Sequence, residues 1–135
     1  MIVADTNLIA YFSIHTECSA LAEAVCAADS IWVAPLLWRS EYRGILLKYV
    51  RYAGMNFEAA ISSLRLAEEM VAGREYSVDA RKVLELAYQT KCSAYDCEYV
   101  ALAQDLDVPL VTADKQVLKA FPKIAVALEK FARRK

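Results

Sequence analysis

The chain predicts an α/β fold of three layers, α/β/α, helix-rich and built on a short central parallel sheet. Three observations carry this. Residues 2–4, 31–34 and 109–112 are short, almost wholly apolar runs. Long segments with helical spacing separate them, and apolar strands alternating with helices make a parallel sheet covered on both faces. The length, 135 residues with 58% apolar side chains, suits a single domain, residues 1–135, with no linker, repeat or low-complexity stretch.

Each element has its own signal. Residues 2–4 (Ile-Val-Ala) run into Asp5-Thr6-Asn7, all turn and cap formers, so a strand feeds an apolar helix over 7–14. Leu21, Val25 and Ala28 give residues 17–28 a helical face. Ile31-Trp32-Val33-Ala34 reads as a buried strand stopped by Pro35. A long helix follows from about Leu36 to Ala53, with Gly54 as its stop, and another from Phe57 to Val71, ended by Gly73. Residues 75–78 read as an extended link. Asp79 caps a helix reaching Thr90, and Ser93 caps one reaching Leu106. Residues 109–112 form a further strand, and Asp114 opens a short helix to Ala120. Residues 124–128 fit a strand or a helix equally well, and Arg133-Arg134-Lys135 reads as a frayed basic tail.

Composition removes whole classes of chemistry. One histidine, His15, excludes metal sites built from several histidines. Three glycines, Gly44, Gly54 and Gly73, form neither of the usual phosphate-cradling motifs. Cys18, Cys26, Cys92 and Cys97 form no C-x-x-C pair and read as reduced thiols. The start lacks a basic region and a cleavage site, and the longest uncharged run, residues 6–16, is too short for a bilayer. The expected setting is cytoplasmic, away from membrane. A net charge of −1 argues against a strongly basic nucleic-acid binder, unless it averages an acidic pocket with a basic surround.

Carboxylates remain. In parallel sheets, ligands bind outside the carboxyl ends of the strands. Asp5 and Asp114 follow strands and emerge on the same edge. Glu41, with Leu37 at i−4 and Ile45 at i+4, stands on or beside an apolar stripe. Asp96, with Tyr99, Val100 and Ala103 beyond it, faces inward from its first helical turn. Four acids converging there repel one another and raise their own pKa values, and a hard divalent cation, Mg²⁺ or Mn²⁺, relieves that conflict. Each acid also has a plainer role. Asp5 and Asp114 can cap the helices that follow, Asp96 fits a capping box with Ser93, and Glu41 can pair with Arg39 or Arg43.

These residues resemble the PIN-domain family, and within it the VapC-type toxins. Ile2-Val3-Ala4-Asp5-Thr6-Asn7 resembles the opening strand and first aspartate. Trp38-Arg39-Ser40-Glu41-Tyr42 holds a glutamate where the family has its helical one. Ser93-Ala94-Tyr95-Asp96-Cys97-Glu98-Tyr99-Val100-Ala101-Leu102-Ala103 resembles the central Asp motif, and Val111-Thr112-Ala113-Asp114 the T-x-D motif. The likeness spans residues 1–128 and implies a PIN-like fold. It also implies a metal-dependent endoribonuclease, the toxin of a type II toxin–antitoxin pair. Asp5, Glu41, Asp96 and Asp114 would be catalytic and hold one or two Mg²⁺ or Mn²⁺ ions, which activate a water for attack on the RNA phosphodiester. Homodimerisation and a VapB-like antitoxin partner follow from the same resemblance. Many relatives carry another acid two or three positions after the T-x-D aspartate, where this chain has Gln116 and Val117. Glu98, at i+2 from Asp96, points to another helix face.

Thr6, Asn7 and Thr112 place hydroxyl and amide groups near the acids, either as supporting residues that orient a carboxylate or a water or as turn and strand-end hydrogen bonders. Arg39, Arg43 and Lys115 are RNA-phosphate candidates, with Lys48, Arg51 and Lys119 near them. Trp38, Tyr42, Tyr49, Tyr52, Tyr11 and Phe12 suggest either a partner surface or core packing. Two other readings are a catalytically silent PIN-like interaction module and a PIN nuclease of RNA processing. A phosphotransfer domain is disfavoured: a D-x-D phosphatase needs Asp where Asn7 stands, and Pro35 ends the strand where a receiver needs its aspartate.

Overall fold

The structure, a computed structural model, describes residues 1–134. Five strands make one all-parallel sheet: β1 (Ile2–Ala4), β2 (Trp32–Pro35), β3 (Glu75–Tyr76), β4 (Leu110–Thr112) and β5 (Ala125–Ala127). Their spatial order is β3-β2-β1-β4-β5. Ile2 pairs with Trp32, Val3 with Leu110, Ala34 with Glu75, and Leu110 with Ala125. The order reverses beside β1. The chain moves outward on one side through β2 and β3, then returns to lay β4 and β5 on the other. The carboxyl ends of β1 and β4 therefore flank the crevice where such sheets take ligands.

Eight helices surround the sheet among the described residues: α1 (Thr6–Ser13), α2 (Ser19–Ala28), α3 (Trp38–Tyr52), α4 (Phe57–Met70), α5 (Ala80–Gln89), α6 (Ala94–Leu106), α7 (Lys115–Ala120) and α8 (Leu128–Ala132). This is the helix-rich, three-layer α/β fold expected from the sequence. β1, β2 and β4 are buried throughout, which explains their unbroken apolar runs. α6 is the most deeply set helix, burying Cys97 and Tyr99 to Ala103. α3 buries Trp38, Tyr42 and Leu46 at four-residue spacing. Gly54 (φ 74°) and Gly73 (φ 73°) follow α3 and α4 in the left-handed region, as helix stops do.

Several expectations change. Pro35 does not stop β2 but belongs to it, paired with Tyr76. The link at 75–78 contains the edge strand β3. Residues 124–128 resolve into β5 and the start of α8, a helix not foreseen. Of the basic tail, Arg134 lies over the Phe131 ring at 5.0 Å and donates its backbone N–H to the Phe131 carbonyl at 3.0 Å, while Lys135 lies outside the described residues. The aromatics favour core packing. Trp38 and Tyr42 are buried, and Phe12 packs edge-on against Trp32 at 5.3 Å, although Tyr52 stays exposed. All four cysteines are free. No helix among the described residues is long and apolar enough to cross a membrane.

Candidate active site

A cleft of about 340 Å³ opens at the carboxyl ends of β1 and β4. Asp5, Glu41, Asp96 and Asp114 all line it, with Thr6, Asn7 and Thr112. The chain buries four polar or charged residues among those described, and three of them, Asp5, Thr6 and Thr112, belong to this cleft. Buried polar groups are costly away from water unless hydrogen-bonded, so their concentration marks the site.

Asp5 sits where β1 hands over to α1. Its Oδ1 accepts the Leu8 N–H at 2.8 Å, so it is the N-cap of α1 as well as a cleft residue. Its Oδ2 accepts the Thr112 hydroxyl at 2.6 Å and the Ala113 N–H at 3.1 Å. Thr112 in turn accepts the Asp114 N–H at 3.0 Å, and Asp114 Oδ1 caps α7 through the Val117 N–H at 3.0 Å. The Thr112 hydroxyl thus ties the ends of β1 and β4 together. Burial pushes the Asp5 carboxyl above the usual aspartate range, against the lowering effect of these three donors, and the charge of Asp114 adds to the rise.

Glu41 enters from the first turn of α3. It pairs with neither Arg39 nor Arg43. Its Oε1 receives the Tyr99 hydroxyl at 2.6 Å and the Thr6 hydroxyl at 2.8 Å, and the two hydroxyls also contact each other. Two hydroxyl protons serve two of these three contacts at a time. Burial raises the Tyr99 phenol, and the neighbouring Glu41 raises it further, so Tyr99 remains a donor. Asp96 lies in the first turn of α6 behind the Ser93 cap, whose Oγ accepts the Asp96 N–H at 3.0 Å. Partial burial raises its carboxyl, and Asp114 and Glu41 add to the rise.

The four acids therefore form one electrostatic group in a shared cleft. All-oxygen donors with no histidine or cysteine suit a hard divalent cation. Among the described residues, no three such side chains are gathered tightly enough to hold an ion between them. The donor set is compatible with a hard cation, Mg²⁺ or Mn²⁺, that takes one or two carboxylates and keeps several waters.

The basic candidates fare unequally. Arg39 is committed to Glu75, through Nε at 2.6 Å and a second nitrogen at 2.5 Å, and the Trp38 indole N–H donates to the same carboxylate at 2.5 Å. That places Arg39 against the sheet edge rather than in the cleft. Arg43 and Lys115 are exposed and do not line the cleft; Lys48 does. Gln116, at one of the positions where relatives carry a further acid, donates to the Lys91 carbonyl at 2.9 Å, and Val117 lines the cleft as a buried apolar residue. Glu98 faces a different groove, beside Leu36 and Val83. Tyr99 is the cleft side chain that sequence reasoning left without a role. Its signal was present, a tyrosine one turn beyond Asp96, but its partners lie on other segments.

No family model matches the sequence, and no curated protein matches it. Solved structures share its fold. PAE2754 from Pyrobaculum aerophilum superposes with a TM-score of 0.78 at 19% identity, over 97% of this chain and 85% of that one. FitAcB from Neisseria gonorrhoeae gives 0.73 at 17% identity, over 96% and 99%. A toxin–antitoxin complex from Klebsiella pneumoniae gives 0.65 at 18% identity, over 95% and 98%. The likeness is one of architecture: the chain shares with these structures the helix-rich α/β fold on a parallel sheet that its sequence predicts.

Proposed function

We propose that this chain is a divalent-metal-dependent endoribonuclease and the toxin of a type II toxin–antitoxin pair, held by a VapB-like antitoxin and acting as a homodimer. The observation that carries the catalytic reading is the cleft itself: Asp5, Glu41, Asp96 and Asp114 together at the switch point of a parallel sheet, braced by buried hydroxyls. The toxin reading draws support from the fold shared with the Klebsiella toxin–antitoxin complex.

One or two of Asp5, Asp96, Asp114 and Glu41 would hold each Mg²⁺ or Mn²⁺ ion, with waters filling the rest of its shell. Such an ion supplies a Lewis acid for a phosphoryl oxygen and lowers the pKa of a water. The chain's own residues do the rest. Thr112 and the Ala113 N–H fix Asp5, and Tyr99 and Thr6 hold one oxygen of Glu41. Burial at Asp5 and the crowding of Asp96 make these carboxylates good cation ligands, because a bound cation offsets the cost of their charge.

The test is cleavage of single-stranded and structured RNAs with Mg²⁺ or Mn²⁺, against chelator. Asp5→Asn and Asp96→Asn abolish cleavage and keep the fold; unchanged cleavage in both sinks the assignment. The spread of the acids and the Gln116–Val117 departure favour one second reading, a silent interaction module. It requires that calorimetry find no Mn²⁺ binding.

A further inference from the structure

One face of α3 runs along the cleft. Glu41, Gly44, Ile45 and Lys48, at i, i+3, i+4 and i+7, all line it. Gly44 is out of place by every internal criterion. It lies in the middle of a 15-residue helix, where alanine is the better helix former. Its φ is not positive, unlike those of Gly54 and Gly73. A β-carbon built on it meets nothing within 4 Å, so no neighbour in the chain requires its smallness. The space left over Gly44 faces the cleft, and glycine is the residue that lets another molecule's backbone come close.

Lys48 is the second anomaly. Among the described residues it is the one cation lining a cleft that holds four acids, and no carboxylate among them lies within 4.0 Å of its ammonium. It stands about 10 Å along the helix axis from Glu41, two turns away. A phosphate held there is a different phosphate from one at the carboxylates. Lys48 offers a phosphate on this face a counter-charge two turns away from the carboxylates.

We propose that this face of α3 is the track for single-stranded RNA: the sugar–phosphate backbone crosses over Gly44, and a phosphate away from the cleavage point rests on Lys48. The inference builds on the ribonuclease reading and adds where the strand lies.

The experiment measures cleavage kinetics and salt dependence on a fluorescein-labelled single-stranded RNA of mixed sequence, using Mg²⁺-supplied protein. Lys48→Ala raises KM about fivefold to tenfold with kcat kept, and lowers the slope of log affinity against log salt by about 0.7, while Lys48→Arg restores both. Gly44→Ala raises the melting temperature yet weakens RNA affinity. Gly44→Met, which extends into the cleft, weakens it further at an unchanged or higher melting temperature. Calorimetric Mn²⁺ affinity stays at the wild-type value in all four. If wild type cleaves RNA and Gly44→Met and Lys48→Ala match it in KM and salt slope, the track lies elsewhere and this inference is overturned while the ribonuclease reading stands. A wild-type protein that neither binds nor cleaves RNA overturns both. Loss of binding to a protein partner with RNA kinetics intact assigns the face to that partner and overturns the track.

Discussion

The Tyr99 hydroxyl on α6 donates to Oε1 of Glu41 on α3 at 2.6 Å, and this bond sets the orientation of a carboxylate in the cleft. Tyr99→Phe keeps the ring and removes the donor. The expected cost is about 1–2 kcal/mol of stability in chemical denaturation. RNA cleavage falls about 10- to 100-fold, as it does when groups behind a ligand are removed. A variant that loses stability but cleaves at the wild-type rate shows the bond to be structural alone.

The raised carboxyls of Asp5 and Asp96 give the metal-free protein a particular pH profile. Both lie above the ordinary value of 3.8 in the folded state, Asp5 through burial and Asp96 through burial and neighbouring charge. The folded protein therefore binds more protons than the unfolded chain between that value and the raised ones. Their stabilising contribution is full below the ordinary value and is lost as pH rises through the folded values. Urea unfolding in chelator between about pH 4 and pH 7 shows wild type losing stability relative to Asp96→Asn as pH increases. Saturating Mn²⁺ reduces the difference.

Arg39 has the opposite sign and a different role. Its guanidinium holds the Glu75 carboxyl below the usual glutamate value of 4.5, with help from the Trp38 indole. Glu75 therefore stabilises the fold above that value, and the contribution is lost as pH falls through its depressed pKa. Arg39→Ala destabilises the protein at neutral pH, and the loss shrinks on acidification. Its KM for RNA stays within about twofold of wild type, since an exposed pair at the sheet edge is remote from the cleft. A large KM change returns Arg39 to the RNA surface.

The buried thiols are inert. Burial, with the nearby Cys92, pushes the Cys97 thiol up to about 11 from the ordinary 9.0. At neutral pH it carries about 100-fold less thiolate than a free cysteine. A disulfide exchange reagent modifies the half-buried Cys18 first in native protein. Cys92 and Cys97 react only once guanidinium unfolds the chain, and rapid modification of all four under native conditions overturns this.

The sequence made the central sheet and the four acids readable because each rests on local pattern. An apolar run followed by Asp-Thr-Asn reads the same in one dimension as in three. β3 escaped because two residues have no period; Glu75 and Tyr76 are a strand only by their pairing with Ala34 and Pro35. Arg39 was misplaced because its partner is 36 positions away, whereas Glu41, its near neighbour, looked like the natural mate. Tyr99 lacked a role because its two partners lie 58 and 93 positions back. Contacts of that span follow from topology, which a pattern of spacing does not encode.

The bond from Thr112 to Asp5 closes a span of 107 positions. A ribosome translating this stretch releases Asp5 and Glu41 long before Asp96 and Asp114 exist. The growing chain thus carries half its carboxylates with neither β4 nor α6 to set them, and pairing across such a span is slow even once both ends are made. The cleft therefore closes only after β4 has been made. A nascent or truncated product that stops short of Thr112 lacks both the bond that joins β1 to β4 and the Asp114 carboxylate, so its cleft is incomplete.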